Sequence, residues 1–157
     1  VPEDRHRDAV ISAWTLVENL ALKEAGSVRG LMAWDAYRAR AESCVRSQDV
    51  RATGVDDSMA ALSGGNQQKF VLARELEGAP AALIVENPTR GLDIRAAAQV
   101  LAALRAARDA GVAVVIHSSD LDELFSVSDR MIVCFDGTVR DVALERQAVG
   151  RAMVGIT

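Results

Sequence analysis

Aromatic residues are scarce in this chain, at 4%, and there are only two cysteines. A core must therefore come from Ala, Leu and Val. Cys44 and Cys134 stand far apart and without metal-ligand spacing. That suits a reducing compartment and asks no function of either thiol. Positive charge is also short, with 18 Lys and Arg against 22 Asp and Glu and a formal net charge of -4. A nucleic-acid-binding domain normally carries the opposite surplus. Long apolar runs are missing as well. The longest uncharged one, Ala110–Ile116, falls far below the roughly 20 residues that a membrane-crossing helix needs. There is no internal repeat and no low-complexity segment. What is present is ordinary globular material, half of it apolar and a quarter charged, over 157 residues. The first residue is Val rather than Met, so the expectation is a piece of a longer chain.

The pattern changes near Met59: helices and loops before it, strands alternating with helices after it. Thr15-Leu-Val-Glu18 reads as a capping box that opens a helix running to about Glu24. Leu31, Trp34, Tyr37 and Arg38, with Ala41 and Val45, predict the packing face of a helix over residues 30–47. Val50–Ser58 has no helical period and reads as a loop. Ser63 and two glycines precede a helix over residues 66–77, which Gly78 and Pro80 stop. Ala81–Val85 and Val112–Ile116 are short apolar runs, the mark of strands covered on both faces. Between them Asp93 caps a helix over 94–110. Ser119 is expected to cap a helix over 120–126, and residues 144–153 to form a terminal one. Asp136-Gly137 predicts a hairpin between Met131–Phe135 and Thr138–Val142. Strands alternating with helices give an α/β fold with a mostly parallel sheet.

Two stretches carry chemistry. Leu62-Ser-Gly-Gly-Asn-Gln-Gln-Lys69 runs into a helix. A serine hydroxyl and glycine amides at a helix N-terminus make an anion site, and glycine lets the backbone come close. Glu86-Asn-Pro-Thr89, after a buried strand, leads into Arg90-Gly-Leu-Asp93. An acid at the end of a strand behind a phosphate-binding helix is the arrangement of a Mg-nucleotide site.

On these residues the chain resembles the ATP-binding-cassette (ABC) ATPases. Leu62–Asn66 resembles the signature motif LSGGQ, with Asn66 in the last place, and the longer LSGGNQQK is similar to tandem-cassette ATPases of sugar and nucleoside importers. Glu86–Thr89 resembles the Walker B sequence, Thr89–Asp93 the D-loop, and Ser118–Glu123 the switch region. Val1–Arg5 resembles the Q-loop region of a second cassette, with Glu3 at the glutamine position. Val17–Leu20 resembles the helical subdomain.

The departures are as informative. No Gly-x-x-x-x-Gly-Lys-Ser/Thr occurs, so the loop that cradles the β- and γ-phosphates is missing. In register with Pro88-Thr89, Glu86 takes the metal-site position and Asn87 the place of the catalytic glutamate. An amide cannot accept a proton as a general base. Ser119 takes the switch-histidine position; His117, two residues earlier, reads as a core or edge histidine. Arg74 reads as an ion-pairing surface residue.

The resemblance implies a P-loop NTPase-like parallel sheet without its Walker A strand, a helical subdomain and a terminal β-hairpin. It implies residues 1–58 as Q-loop region and helical subdomain, and 59–157 as signature helix and Walker B half. The parent protein would be a nucleotide-binding subunit on the inner face of the cell membrane, using ATP and Mg²⁺. Its partners would be a second cassette, membrane permease subunits and, indirectly, a solute-binding protein. Ser63, Gly64, Gly65 and Asn66 would serve the partner cassette's ATP, with Asp93 and Glu3 also facing nucleotide. The solute would be a nucleoside or simple sugar. Alternatives are a non-hydrolytic scaffold that docks on a permease and a soluble ATPase of the superfamily. A missing central strand would leave sheet edge and face bare. That would invite self-association or an altered strand pairing, including a hairpin that slides onto Val112–Ile116.

Overall fold

The computed structural model describes residues 1–156 and divides into two compact units, Val1–His117 and a second that begins at Ser118. Each is taken by itself.

The first unit opens with α1 (Arg5–Asp8), whose N-cap Asp4 accepts from the His6 and Arg7 N–H groups. Next comes α2 (Leu16–Ala21), where the capping box forms as expected: Thr15 Oγ1 accepts from the Glu18 N–H, and the Glu18 carboxylate accepts from the Thr15 N–H at 2.8 Å. The helix ends three residues short of the expected Glu24. Helix α3 spans Trp34–Ser47. It does not start at Gly30, because that glycine takes φ +90°. Leu31 and Trp34 are accordingly solvent-exposed, at 98% and 49%. The packing face is instead Tyr37, Ala41 and Cys44.

A short 3-10 turn, Met59–Ala61, leads to α4 (Gly64–Leu76), which starts two residues earlier than expected. Strand β1 (Ala82–Glu86) and helix α5 (Ile94–Asp109) follow, and Asp93 accepts from the Ala96 N–H at 2.8 Å as the α5 cap. Strand β2 (Ala113–His117) lies parallel to β1, with Ile84 opposite Val115 and Glu86 opposite His117. Along the other edge of β1 lies Val1. Its amino group donates to the Ile84 carbonyl at 2.6 Å, and its carbonyl accepts from the Glu86 N–H at 2.9 Å.

Two cores form. One gathers Leu16, Leu20, Tyr37, Ala41, Met59, Phe70 and Val71 from α2, α3, the 3-10 turn and α4. The other packs Leu72 and α5 residues Val100 and Leu104 on Leu83 and Val85. Within this unit, among the described residues, one sheet face is covered. Ile84 is 62% and Val115 48% exposed. That corrects the reading of both strands as buried on two faces: only the α4–α5 side supplies side chains to cover them.

The second unit has α6 (Leu121–Val127), β3 (Met131–Phe135), β4 (Thr138–Val142) and α7 (Arg146–Met153). The hairpin turns at Asp136 and Gly137, both with positive φ, the geometry of a primed turn. Met131, Val133 and Val149 form its core. Asp120, not Ser119, caps α6, by accepting from the Asp122 and Glu123 N–H groups. The helix begins at Leu121, one residue later than expected, which puts Asp120 rather than Ser119 at the cap position. Among the described residues β3 and β4 pair with each other as a two-stranded antiparallel sheet.

Candidate nucleotide-facing site

The first candidate feature is the start of α4. Ser63 is exposed and N-caps the helix, with its hydroxyl 3.5 Å from the Asn66 N–H. The Asn66 side-chain amide also donates to that hydroxyl at 3.0 Å, and its carbonyl accepts from the Arg51 N–H at 2.9 Å. Asn66 thus ties the loop before the motif to the serine. Gln67 is buried and adds a second tie. Its amide donates to the Met59 and Leu62 carbonyls at 3.0 and 3.2 Å, and its carbonyl accepts from Arg5 Nε at 3.3 Å. Lys69 is buried, donates to the Asp49 carbonyl and lies 3.9 Å from the Asp49 carboxylate. Burial lowers its pKa.

Gly65 is sterically required, whereas at Gly64 only the mobile end of the Arg5 side chain stands in the way. A Cβ on Gly64 would lie 2.8 Å from Arg5 Nη2, and one on Gly65 would lie 2.8 Å from the Ala96 Cβ. The first turn of α4 therefore touches the start of α5 on one side and Arg5 on the other. With Ser63 outward and the α4 N–H groups unobstructed by side chains at 64 and 65, the geometry suits an incoming anion.

The second feature is the C-terminal end of β1. Glu86 is exposed there, and Asn87 follows with φ +41°. The Asn87 N–H donates to the His117 carbonyl at 2.7 Å. Its side-chain amide donates to Glu3 Oε2 at 2.9 Å, and Arg90 forms an ion pair with the same carboxylate. The structure thus brings Glu3 to Asn87, 84 positions away, and to Arg90, three residues further on. Asp93 is engaged as the α5 cap. His117 is exposed at the end of β2. Ser119 belongs to the second unit, is exposed, and is described with that unit alone.

Among the described residues no group of three or more His, Cys, Asp or Glu could hold a metal ion. Mg²⁺, however, uses one or two carboxylates together with nucleotide phosphates, and its hard-oxygen preference fits Glu86. Among the described residues no helix is long and apolar enough to cross a membrane.

Arg74 went unrecognised in the sequence. It is 6% exposed, and Nη1 donates to the Ala9 and Asn19 carbonyls at 2.9 and 3.0 Å. It pairs with Glu75 at 2.9 Å, as the sequence suggests, but it is buried rather than on the surface and acts as an internal strut between α4 and the turn regions around α2. That role carried no local signal, because the two carbonyls lie 65 and 55 residues away.

No family model matches the chain. The chain is 41% identical over 163 residues to the nucleoside import ATP-binding protein NupA of Lactococcus lactis subsp. cremoris, a match that covers 99% of this chain and 32% of that protein. It is 35% identical over 141 residues to the ribose import ATP-binding protein RbsA 1 of Rhizobium johnstonii, covering 88% of this chain and 28% of that one. The chain therefore spans about a third of the length of the curated relatives it matches. Among solved structures it superposes, at TM-score 0.70 and 25% identity, on the dimeric post-hydrolysis state of the ATP-binding cassette MJ0796 bound to ADP and Pi. That match covers 92% of this chain and 62% of that one.

Proposed function

Since the chain belongs to the ABC transporter ATPase family and has the fold of its cassettes, we propose that it is the signature and Walker B portion of a nucleotide-binding subunit that drives import of a nucleoside. A simple sugar is the second reading, favoured by the ribose-import relative; the higher identity to a nucleoside-import protein favours the first. The parent protein works at the inner face of the membrane with a second cassette and a permease. Residues 1–58 form the Q-loop region and helical subdomain, and 59–157 the signature helix and Walker B half.

The division of labour is unequal. Ser63, Gly64 and Gly65 are offered to ATP held by the opposing cassette. In this chain's own site Glu86 holds Mg²⁺ or its water, with Glu3 and Asp93 facing the nucleotide. Bound Mg²⁺ supplies charge neutralisation for the phosphates. Asn87, at the place where a base would act, orients the Glu3 carboxylate and takes no proton. Ser119, at the switch position, is a hydroxyl with no basic nitrogen.

The observation that carries this reading is the first turn of α4. An outward serine stands ahead of two glycines, the second of which has no room for a Cβ, and Asn66 and Gln67 tie the loop behind it. In the full-length protein, Ser63→Arg is expected to remove most ATP turnover, measured by phosphate release. Turnover within twofold of the parent would contradict the reading.

A further inference from the structure

We infer that Arg51 and Arg95 form, with Arg5, an additional phosphate-binding surface around the signature, contributed to the nucleotide of the opposing cassette. This rests on the reading of Ser63–Gly65 as a donated signature.

The inference starts from how arginines are used in this acidic chain. Arg7, Arg38, Arg40, Arg74, Arg90 and Arg130 are each held by a carboxylate. Among the described residues the guanidinium groups of Arg51 and Arg95 are held by none, and Arg5 has only the neutral Gln67 carbonyl on its Nε. All three lie around the first turn of α4. Arg5 Nη2 is against Gly64. The Arg51 main chain is fixed to Asn66, and its exposed side chain lines an open pocket with Thr53, Asp57, Ala61 and Leu62, immediately ahead of Ser63. Arg95 adjoins Ala96, which touches Gly65, and both Arg51 and Arg95 act on the Lys69 charge.

Asp4 attracts Arg5 through space, but no nearby acid holds any of the three guanidinium groups by a hydrogen bond among the described residues. Asp57 accepts from the Thr53 N–H and hydroxyl at 2.6 and 2.7 Å and from the Gly54 N–H at 3.3 Å. Asp93 caps α5, Asp4 caps α1, and Asp49 lies beside Lys69. What remains is a set of open guanidinium forks beside a helix N-terminus that already favours anions. A guanidinium matches phosphate oxygens two at a time. A triphosphate presented to Ser63 would meet this surface.

The test uses Arg51→Gln/Arg95→Gln in the full-length protein, because both side chains are exposed and their replacement is expected to leave folding intact. The readout is ATP affinity, by titration with a trinitrophenyl-ATP probe under non-hydrolysing conditions, across a salt series. The expected result is about tenfold weaker binding at low salt and a flatter salt dependence, since screened charges are being removed. Unchanged affinity and unchanged salt dependence would overturn the inference. If Ser63→Arg in the same titration weakens binding while the double variant does not, the signature reading stands and this inference fails. If neither variant changes binding, both fail. Loss of binding to anionic phospholipid vesicles with ATP affinity intact would reassign the patch to the membrane surface and also overturn it.

Discussion

The start of α4 and the end of β1 sit in the same unit but are held in opposite ways. At α4, Asn66 holds the Ser63 hydroxyl, and most other ties run to the loop behind the motif. Asn66, Gln67 and Lys69 are spent on the loop over residues 49–62, which leaves Ser63 outward. At β1, the ties run through the reactive position itself. Asn87 and Arg90 both turn on Glu3, so amide, guanidinium and carboxylate engage one another. The first arrangement presents a surface to something else. The second closes on itself. On the proposed function, a cassette portion would keep what it lends while losing what it would use alone.

The largest effect should come from forcing bulk into the α4 side. A Cβ on Gly65 already lies 2.8 Å from the Ala96 Cβ, so Gly65→Val must drive α4 and α5 apart. Phosphate release by the full-length protein should fall about a hundredfold or more, which is about 3 kcal/mol of barrier. Activity near the parent level would mean that the close α4–α5 approach is dispensable.

Next comes the frame behind α4. Arg74→Met keeps the stem but leaves the Ala9 and Asn19 carbonyls without their donor. Urea unfolding should show a loss of about 2–4 kcal/mol, from two buried acceptors left unsatisfied. A loss below about 0.5 kcal/mol would return Arg74 to the surface role first assigned to it.

The smallest effect is acid sensitivity in the helical part. Hydrogen bonds from Arg40, then Tyr37, hold the Glu24 carboxyl below its ordinary value of 4.5. Burial pushes Glu75 up, but Arg74 and Lys23 outweigh it and bring it below its ordinary value. A depressed folded-state pKa stabilises above the unfolded value and is lost as pH falls through the folded one. Thermal unfolding should therefore show a plateau above about pH 4.5 and a decline below it, shallower in Arg40→Met. An equally steep decline in that variant would remove Arg40 from the account. Burial also pushes the Cys44 thiol up to about 11, so it should resist alkylation at neutral pH while exposed Cys134 reacts.

The sequence was most legible where the cause of structure is local. Thr15 with Glu18, Ser63, Asp93 and Asp136-Gly137 act on N–H groups or turns within three residues, and each is found where its neighbours require it. Periodicity misled at Leu31 and Trp34, because Gly30 turns the chain out of helix before them. Ser119 lost the α6 cap to its neighbour Asp120. The contacts that define the site were not visible at all. Glu3 meets Asn87 across 84 residues, and Arg74 meets Ala9 across 65. Apolar strands say that a sheet is buried, not on how many faces; Ile84 and Val115 show one face bare.

The central claim is that the α4 surface is active in trans while the Asn87 position is not a base. One assay tests it directly: steady-state ATP turnover of the full-length protein as parent, Ser63→Arg and Asn87→Glu. The account predicts that Ser63→Arg removes most turnover. It predicts that Asn87→Glu raises turnover by less than about tenfold, or 1.4 kcal/mol of barrier, because the new carboxylate would face Glu3 and the switch position remains Ser119. A tenfold or greater gain in Asn87→Glu, or full turnover in Ser63→Arg, would contradict it.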